Sequence, residues 1–101
     1  MEFLQLKYFL EVAKTQHVTQ TAHALHVSQP SLTQAIHRLE RELGVKLFEP
    51  DGRGICLTEA GDFFRRRVSF VLNDLNAAIT ELEQFKTQRA ETVRIDVLSA
   101  S

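Results

Sequence analysis

The chain has 101 residues, of which 44% are hydrophobic and 25% are charged, and its formal net charge is −1. This is an ordinary globular composition, and the length suits about one domain with a modest core. The single cysteine, Cys56, excludes an internal disulfide and favours a cytoplasmic protein over a secreted one. Charged residues interrupt the apolar N-terminus and no apolar run approaches the roughly 18 residues of a membrane span, so we expect neither a signal peptide nor a membrane segment.

The first 44 residues have the pattern of three helices. Helical spacing of apolar residues predicts the first over residues 3–14. Thr19 is expected to cap a short second helix that turns Ala22 and Leu25 inward, and residues 26–28 form a brief turn. The third helix has Pro30 in its first turn, where a missing N–H costs nothing, and Gly44 ends it. Two short helices, a tight turn and a longer helix predict a helix-turn-helix.

The third helix has one apolar and one unusual polar face. The apolar stripe is formed by Leu32, Ile36, Leu39 and Leu43. The opposite face begins with uncharged residues that are short or carry amides, where a merely solvated helix usually carries Glu and Lys. Amides and hydroxyls near a helix N-terminus suit base edges in a major groove, because Gln can pair bidentately with adenine and small side chains let the backbone approach.

The next segment has the pattern of a β-hairpin followed by a long helix. Strand-like pieces at 46–48 and 55–57 flank Pro50-Asp51-Gly52, which is strong turn chemistry. A hairpin directly after a helix-turn-helix makes the motif winged. Thr58 is expected to cap a fourth helix over residues 59–88, with Glu59 near its positive end.

A heptad repeat runs along the fourth helix. Its apolar residues recur at alternating intervals of four and three, and they are Phe64, Val68, Val71, Leu75, Ala78, Leu82 and Phe85. Packing on its own domain is the alternative, but so small a domain cannot cover about 40 Å of helix at 1.5 Å per residue. We therefore expect these residues to form a dimerisation seam.

Beyond residue 90 the pattern changes to alternation, with Val93, Ile95 and Val97 separated by charged residues, which predicts a strand. Because an isolated strand is not stable, this segment is expected to open a further domain. The sequence thus predicts a mainly α protein: a winged helix-turn-helix over residues 1–58, a linker helix over 59–89, and the start of a truncated C-terminal domain over 90–101.

Three motifs, "SQPSLTQAIHRLE", "ELGVKLFE" and "LTEAG", occur in this order and spacing. With the residues between and before them they resemble the LysR-type transcriptional regulators of bacteria, over essentially the whole chain up to about residue 90. The resemblance implies a DNA-binding winged domain, a linker helix that dimerises in antiparallel fashion, and a C-terminal sensor domain that binds a small-molecule effector. We therefore expect a homodimer that binds an interrupted palindrome of double-stranded DNA. The full-length protein could form a higher oligomer.

The resemblance also carries DNA contacts onto particular residues. Those on the third helix are Gln29, Pro30, Ser31, Thr33 and Gln34. Many relatives have Arg where this chain has Gln34, so adenine is favoured over guanine there. Arg53, between two glycines at the hairpin tip, is expected to enter a minor groove or meet phosphate, in a wing less basic than that of relatives. Ser28, Arg38 and Thr58 are candidate phosphate contacts, with plain capping or solvation as the alternative.

The other chemistry-bearing residues form no convincing site. His23 and His26 have a spacing seen in metal sites but lack further ligands nearby. Cys56 is more typical of a small buried thiol than of a redox switch. Glu49 and Asp51 have no tuned partner for acid–base chemistry, so we expect no enzyme, no cofactor and no metal. The near-neutral charge keeps one other hypothesis open: a winged-helix protein-interaction module with a coiled-coil scaffold helix.

Overall fold

The computed structural model describes the backbone of residues 1–100 and the side chains of residues 1–90. The elements are, in chain order, α1 (Phe3–Thr15), α2 (Val18–Ala24), α3 (Gln29–Leu43), β1 (Phe48–Asp51), β2 (Gly54–Leu57) and α4 (Glu59–Ala100). A mainly helical chain with a two-stranded wing and a long last helix confirms the predicted fold class. The chain divides into two compact units, Met1–Ser69 and Phe70–Ser101, so the first turns of α4 belong to the winged unit.

The ends of the helices follow local capping rules, with one correction. Gly44 ends α3 with a left-handed φ of 73°, as predicted from the sequence, and Ser28, a candidate phosphate contact, caps the helix by accepting from Ser31 N. The prediction that Thr19 caps α2 is wrong. His17 is the cap, because its Nδ1 accepts a hydrogen bond from Gln20 N at 3.2 Å and the helix begins at Val18. An imidazole nitrogen can accept as a hydroxyl does, although His is a less common cap.

The core of the winged unit lies where α1, α2 and α3 meet. Phe9, Leu32, Leu39 and Leu47 are fully buried, and Val12, Ala22 and Ile36 join them. The ring of Phe9 lies 5.5 Å from the rings of Phe48 and Phe64, measured between centroids. Tilted aromatic pairs at this separation are favourable beyond the area that they bury. The core thus joins the helix-turn-helix to the wing and to α4.

The wing is a hairpin of two antiparallel strands in which Phe48 pairs with Leu57 and Asp51 with Gly54. The predicted strands at 46–48 and 55–57 are shifted, since β1 begins at Phe48. The reason is tertiary, because Leu47 is fully buried and its N–H bonds to a carboxylate of α3 rather than to β2. Gly52 has a φ of +60°, at the first central position of the turn, which a type II′ hairpin reserves for glycine.

The first turns of α4 pack on the winged unit. Thr58 caps this helix, as predicted, by accepting from Gly61 N at 2.9 Å. Gly61 passes so close to the preceding segment that a Cβ there would lie 2.0 Å from the carbonyl oxygen of Leu47. Val68 is 6% exposed and Phe64 packs against the core. These two members of the predicted dimerisation seam are therefore occupied within their own chain.

From Phe70 onward α4 forms the second compact unit. The larger seam residues are 42–63% exposed in the single chain, and they are Val71, Leu75, Leu82 and Phe85, with Ile79 beside them. Ala78 is exposed as well. The strand predicted from Val93, Ile95 and Val97 is wrong, because α4 runs to Ala100. A helix satisfies its own backbone groups, whereas a lone strand has nothing to pair with. The side chains of that segment lie outside the described residues.

Candidate nucleic-acid interface

The side of α3 away from the core is an open polar surface. It exposes most of the predicted contact residues, namely Gln29, Pro30, Ser31, Gln34 and Arg38, and Thr33 is half-buried at its edge. The cause is the spacing of the apolar stripe, which turns Leu32, Ile36 and Leu39 to the core and the intervening positions to solvent. We call this surface, completed by the exposed His37 and Arg41, the open face of α3.

The hydrogen-bonding groups at the start of the open face are partly committed. The Ser28 hydroxyl accepts from Ser31 N at 3.1 Å and donates to Ser31 Oγ at 2.7 Å. The single hydrogen of Ser28 is thereby used, whereas that of Ser31 is free to donate to a ligand. Gln29 Oε1 accepts from Thr19 Oγ1 at 3.0 Å, so its amide hydrogens face outward as donors. Thr19 thus positions the Gln29 side chain, whereas the sequence predicted it to be the cap of α2.

The charge on the open face is positive although the chain as a whole is slightly acidic. Arg38 and Arg41 are exposed and form no ion pair with the residues that the structure describes. Of the two carboxylates on α3, Glu40 is only 6% exposed, and Glu42 lies 3.0 Å from the Met1 amine. Local charge here departs from net charge, which weakens the objection that a nucleic-acid binder should be basic overall.

Glu40 joins the end of α3 to the start of the wing. Its Oε2 accepts from Leu47 N at 2.7 Å and from Phe48 N at 3.3 Å, while Oε1 lies 3.1 Å from His37 Nδ1. Burial raises the pKa of Glu40, but these donors together with the charge of Lys46 outweigh burial and hold the pKa below its ordinary value. An ionised carboxylate therefore fixes the wing against α3. Sequence reasoning missed it, since Glu in a helix normally indicates solvent.

The tip of the wing carries Arg53, which is exposed and makes no ion pair with any described residue. The neighbouring strand is acidic at Glu49 and Asp51, and Cys56 Sγ lies 3.9 Å from Glu49 Oε1. Burial raises the pKa of the Cys56 thiol, and the charges of Asp51 and Glu49 raise it further. Since the thiolate is the reactive form, this environment disfavours a redox switch.

Thr58 resembles Ser28 among the predicted phosphate contacts, because both functions of its hydroxyl are used. Its Oγ1 donates to the carbonyl oxygen of Lys46 at 2.6 Å and accepts from Gly61 N. A phosphate accepts hydrogen bonds only, so this hydroxyl would have to give up an internal bond to reach one. The observed geometry supports the capping interpretation of Thr58.

The basic run at Arg65, Arg66 and Arg67 is partly neutralised. Arg65 donates to Asp62 at 2.9 Å, and Arg66 lies 3.4 Å from the same carboxylate. The hydrogen bond from Arg65 holds the pKa of Asp62 below its usual value despite some desolvation, and both charges add to the effect. Within the described side chains, no cluster of three or more His, Cys, Asp or Glu could hold a metal ion. Nor does that part of the chain contain a helix long and apolar enough to cross a membrane.

Comparison with known proteins gives consistent matches. Residues 3–62 match the family described as "Bacterial regulatory helix-turn-helix protein, lysR family". The transcriptional regulator PcaQ of Agrobacterium fabrum is 37% identical over 98 residues, 97% of this chain and 32% of that protein. ClcR of Pseudomonas putida is 39% identical over 98 residues, with the same coverage of 97% and 32%. The chain thus spans about a third of the length of these curated relatives.

Solved structures agree with the sequence matches. The CbnR DNA-binding domain in complex with DNA is similar at a TM-score of 0.72 and 44% identity, over 77% of this chain and 90% of that chain. The BenM DNA-binding domain with a catB site is similar at a TM-score of 0.79 and 32% identity, over 84% and 96%. With a family match over more than half of its length, the chain belongs to the LysR family of bacterial regulatory helix-turn-helix proteins.

Proposed function

We propose that this chain is the sequence-specific DNA-binding part of a LysR-type transcription regulator, and that α3 lies in the major groove with its open face on the base edges. The observation that carries this proposal is the open face itself. It combines amide and hydroxyl hydrogens that are free to donate at the helix N-terminus with exposed arginines and no exposed, unpaired carboxylate. Such groups match base edges and phosphates respectively. The similarity to two DNA-binding domains solved with DNA supports the same function.

The individual contacts follow from which groups are free. Gln29 donates through its amide hydrogens, Ser31 through its hydroxyl, and Gln34 offers both a donor and an acceptor to a base edge. Pro30 and Thr33 allow close approach of the helix to the groove. Arg38 and Arg53 contact phosphate or a neighbouring minor groove. These seven positions and Ser28, which acts as a backbone-positioning cap, form the proposed contact set. Thr58 adjoins this set but acts mainly as the cap of α4, because its hydroxyl is used within the chain.

The proposed assembly is a homodimer formed through α4. The exposed apolar residues from Val71 to Phe85 form a seam at heptad spacing, which a second copy would cover. A two-fold pair presents two α3 helices to an interrupted palindrome, with half-sites about one helical turn apart or a multiple of it. Residues 1–58 and 59–89 then serve as reader and linker. The longer lengths of the relatives support an effector-binding domain beyond the linker helix, and the match to a family of bacterial regulators supports a cytoplasmic location.

A second candidate is a protein-interaction module of the same fold, for which the formal net charge of −1 is the favouring observation. Neither hypothesis assigns catalysis to any residue. They differ in their salt dependence, because a DNA reader releases counterions from each phosphate that it contacts and a protein-binding surface does not.

The test is selection of bound duplexes from a randomised library, followed by gel-shift titration at 50 and 200 mM salt. We expect a selected palindrome whose affinity falls about 10³- to 10⁵-fold over this range if a dimer makes 6–10 phosphate contacts. Equal binding of selected and scrambled duplexes with a flat salt dependence would favour the protein-interaction module.

A further inference from the structure

His37 lies on the open face of α3, three residues beyond Gln34, and its side chain is 54% exposed. Its Nδ1 is 3.1 Å from Oε1 of the nearly buried Glu40. A cleft of about 460 Å³ separates α3 from the wing, and Thr33, His37 and Glu40 line it from the helix side. The His37 ring is therefore held by Glu40 at Nδ1, while much of its side chain remains exposed to solvent.

The partner determines which nitrogen of His37 carries the hydrogen. Glu40 already accepts from Leu47 N and Phe48 N and has a lowered pKa, so it is an ionised carboxylate that can only accept. The hydrogen between the two side chains must therefore be on His37 Nδ1. A neutral imidazole has one N–H, which leaves Nε2 with a lone pair. Among residues 1–90 no group hydrogen-bonds to Nε2.

An outward acceptor on this face has few partners in a duplex. Phosphate oxygens accept only, and the donors of the major groove are the amino groups at cytosine N4 and adenine N6. We infer that His37, in its neutral form, is a further base-reading residue that accepts a hydrogen bond from a cytosine or adenine amino group. This inference rests on the proposed function and extends it to a specificity position that the LysR resemblance does not supply.

The experiment is base selection from a randomised duplex library at pH 8 by the unaltered chain and by His37→Ala. We expect one base pair per half-site at which cytosine or adenine is preferred about 2- to 12-fold by the unaltered chain and not by His37→Ala, as for one neutral hydrogen bond. The preference read by Gln34 should be the same in both. His23→Ala, an exposed histidine on α2, is the matched control and should leave the whole profile unchanged.

The inference is overturned if His37→Ala has the same base-preference profile at pH 8 as the unaltered chain. It is also overturned if His37→Ala binds all duplexes more weakly by a similar factor and with a smaller salt slope, because that result indicates a phosphate contact. If the unaltered chain selects no sequence at all, the proposed function itself fails, and His37 with it.

Discussion

Replacing Glu40 by Ala should loosen the wing from α3 and destabilise the winged unit. The change removes the acceptor of two backbone N–H groups, at Leu47 and Phe48, which lie 2.7 and 3.3 Å from Oε2. Leu47 is fully buried, so its N–H depends on this carboxylate in the folded chain. The substitution therefore leaves a buried donor unsatisfied rather than merely deleting a favourable contact.

The expected loss is about 2–4 kcal/mol, from roughly 1–3 kcal/mol for the buried N–H of Leu47 and a smaller amount for the half-buried Phe48. This is a large fraction of the roughly 5–15 kcal/mol that stabilises a typical domain. Glu40→Gln keeps one neutral carbonyl acceptor and nearly the same volume. We expect it to lose about half as much, because hydrogen bonds to charged acceptors are roughly twice as strong as neutral ones.

Urea unfolding followed by tyrosine fluorescence measures this loss in the winged unit. The chain has one tyrosine and no tryptophan, and Tyr8 packs against the core, so the signal is local. All variants are compared at one protein concentration, since a dimer makes stability concentration-dependent. Glu42→Ala, on the same helix but more exposed, is the matched control and should change stability by less than about 0.5 kcal/mol. A Glu40→Ala midpoint equal to that of the control would refute the argument.

The pH dependence gives an independent check on the same carboxylate. The pKa of Glu40 is lower in the folded chain than its ordinary value, so the unfolded chain binds more protons and stability rises with pH. Its contribution is fully present above the unfolded value of about 4.3 and is lost as pH falls through the lower folded value. The stability difference between the unaltered chain and Glu40→Gln should therefore shrink below about pH 4. A difference that is constant between pH 7 and pH 3 would contradict this.

Four further variants test the fold and the proposed interface. Gly61→Ala places a Cβ 2.0 Å from the Leu47 carbonyl oxygen and should cost roughly 3 kcal/mol or more in urea unfolding; a loss below about 0.5 kcal/mol would be incompatible with that close approach. Gln34→Ala should lose roughly 1–3 kcal/mol for the selected duplex and relax one base pair per half-site, leaving non-specific binding unchanged. Arg53→Ala should weaken all duplexes similarly and lower the salt slope by about one per protomer; loss of discrimination at one base only would mean that the wing reads sequence. Leu75→Lys should give a folded, monomeric chain in sedimentation with the affinity of a single half-site, whereas Asn73→Lys, on the opposite side of α4, should remain dimeric.

Much of the local architecture follows from short stretches of sequence. The apolar stripe of α3, Gly44 at its end and Thr58 before α4 each depend on residues within four positions, so pattern alone predicts them. The cap of α2 was the local exception, because the ring nitrogen of His17 acts in place of the hydroxyl of Thr19. The predicted contact residues lie on the open face of α3 because the helical period that buries the apolar stripe turns the positions between its members to solvent.

What the sequence by itself determined is the helix-turn-helix, the wing, the long last helix and the family, since each is encoded by periodicity, capping or a motif of fixed spacing. Only the tertiary structure decided the role of groups that act across elements. Glu40 binds backbone seven and eight residues away, Thr19 orients Gln29, and the wing starts at Phe48 because Leu47 is committed to Glu40. Phe64 and Val68 fit a heptad as well as Leu75 does, yet Val68 is buried in its own unit and Phe64 packs against the core there. Periodicity specifies which face of a helix is apolar, and only packing determines what covers it.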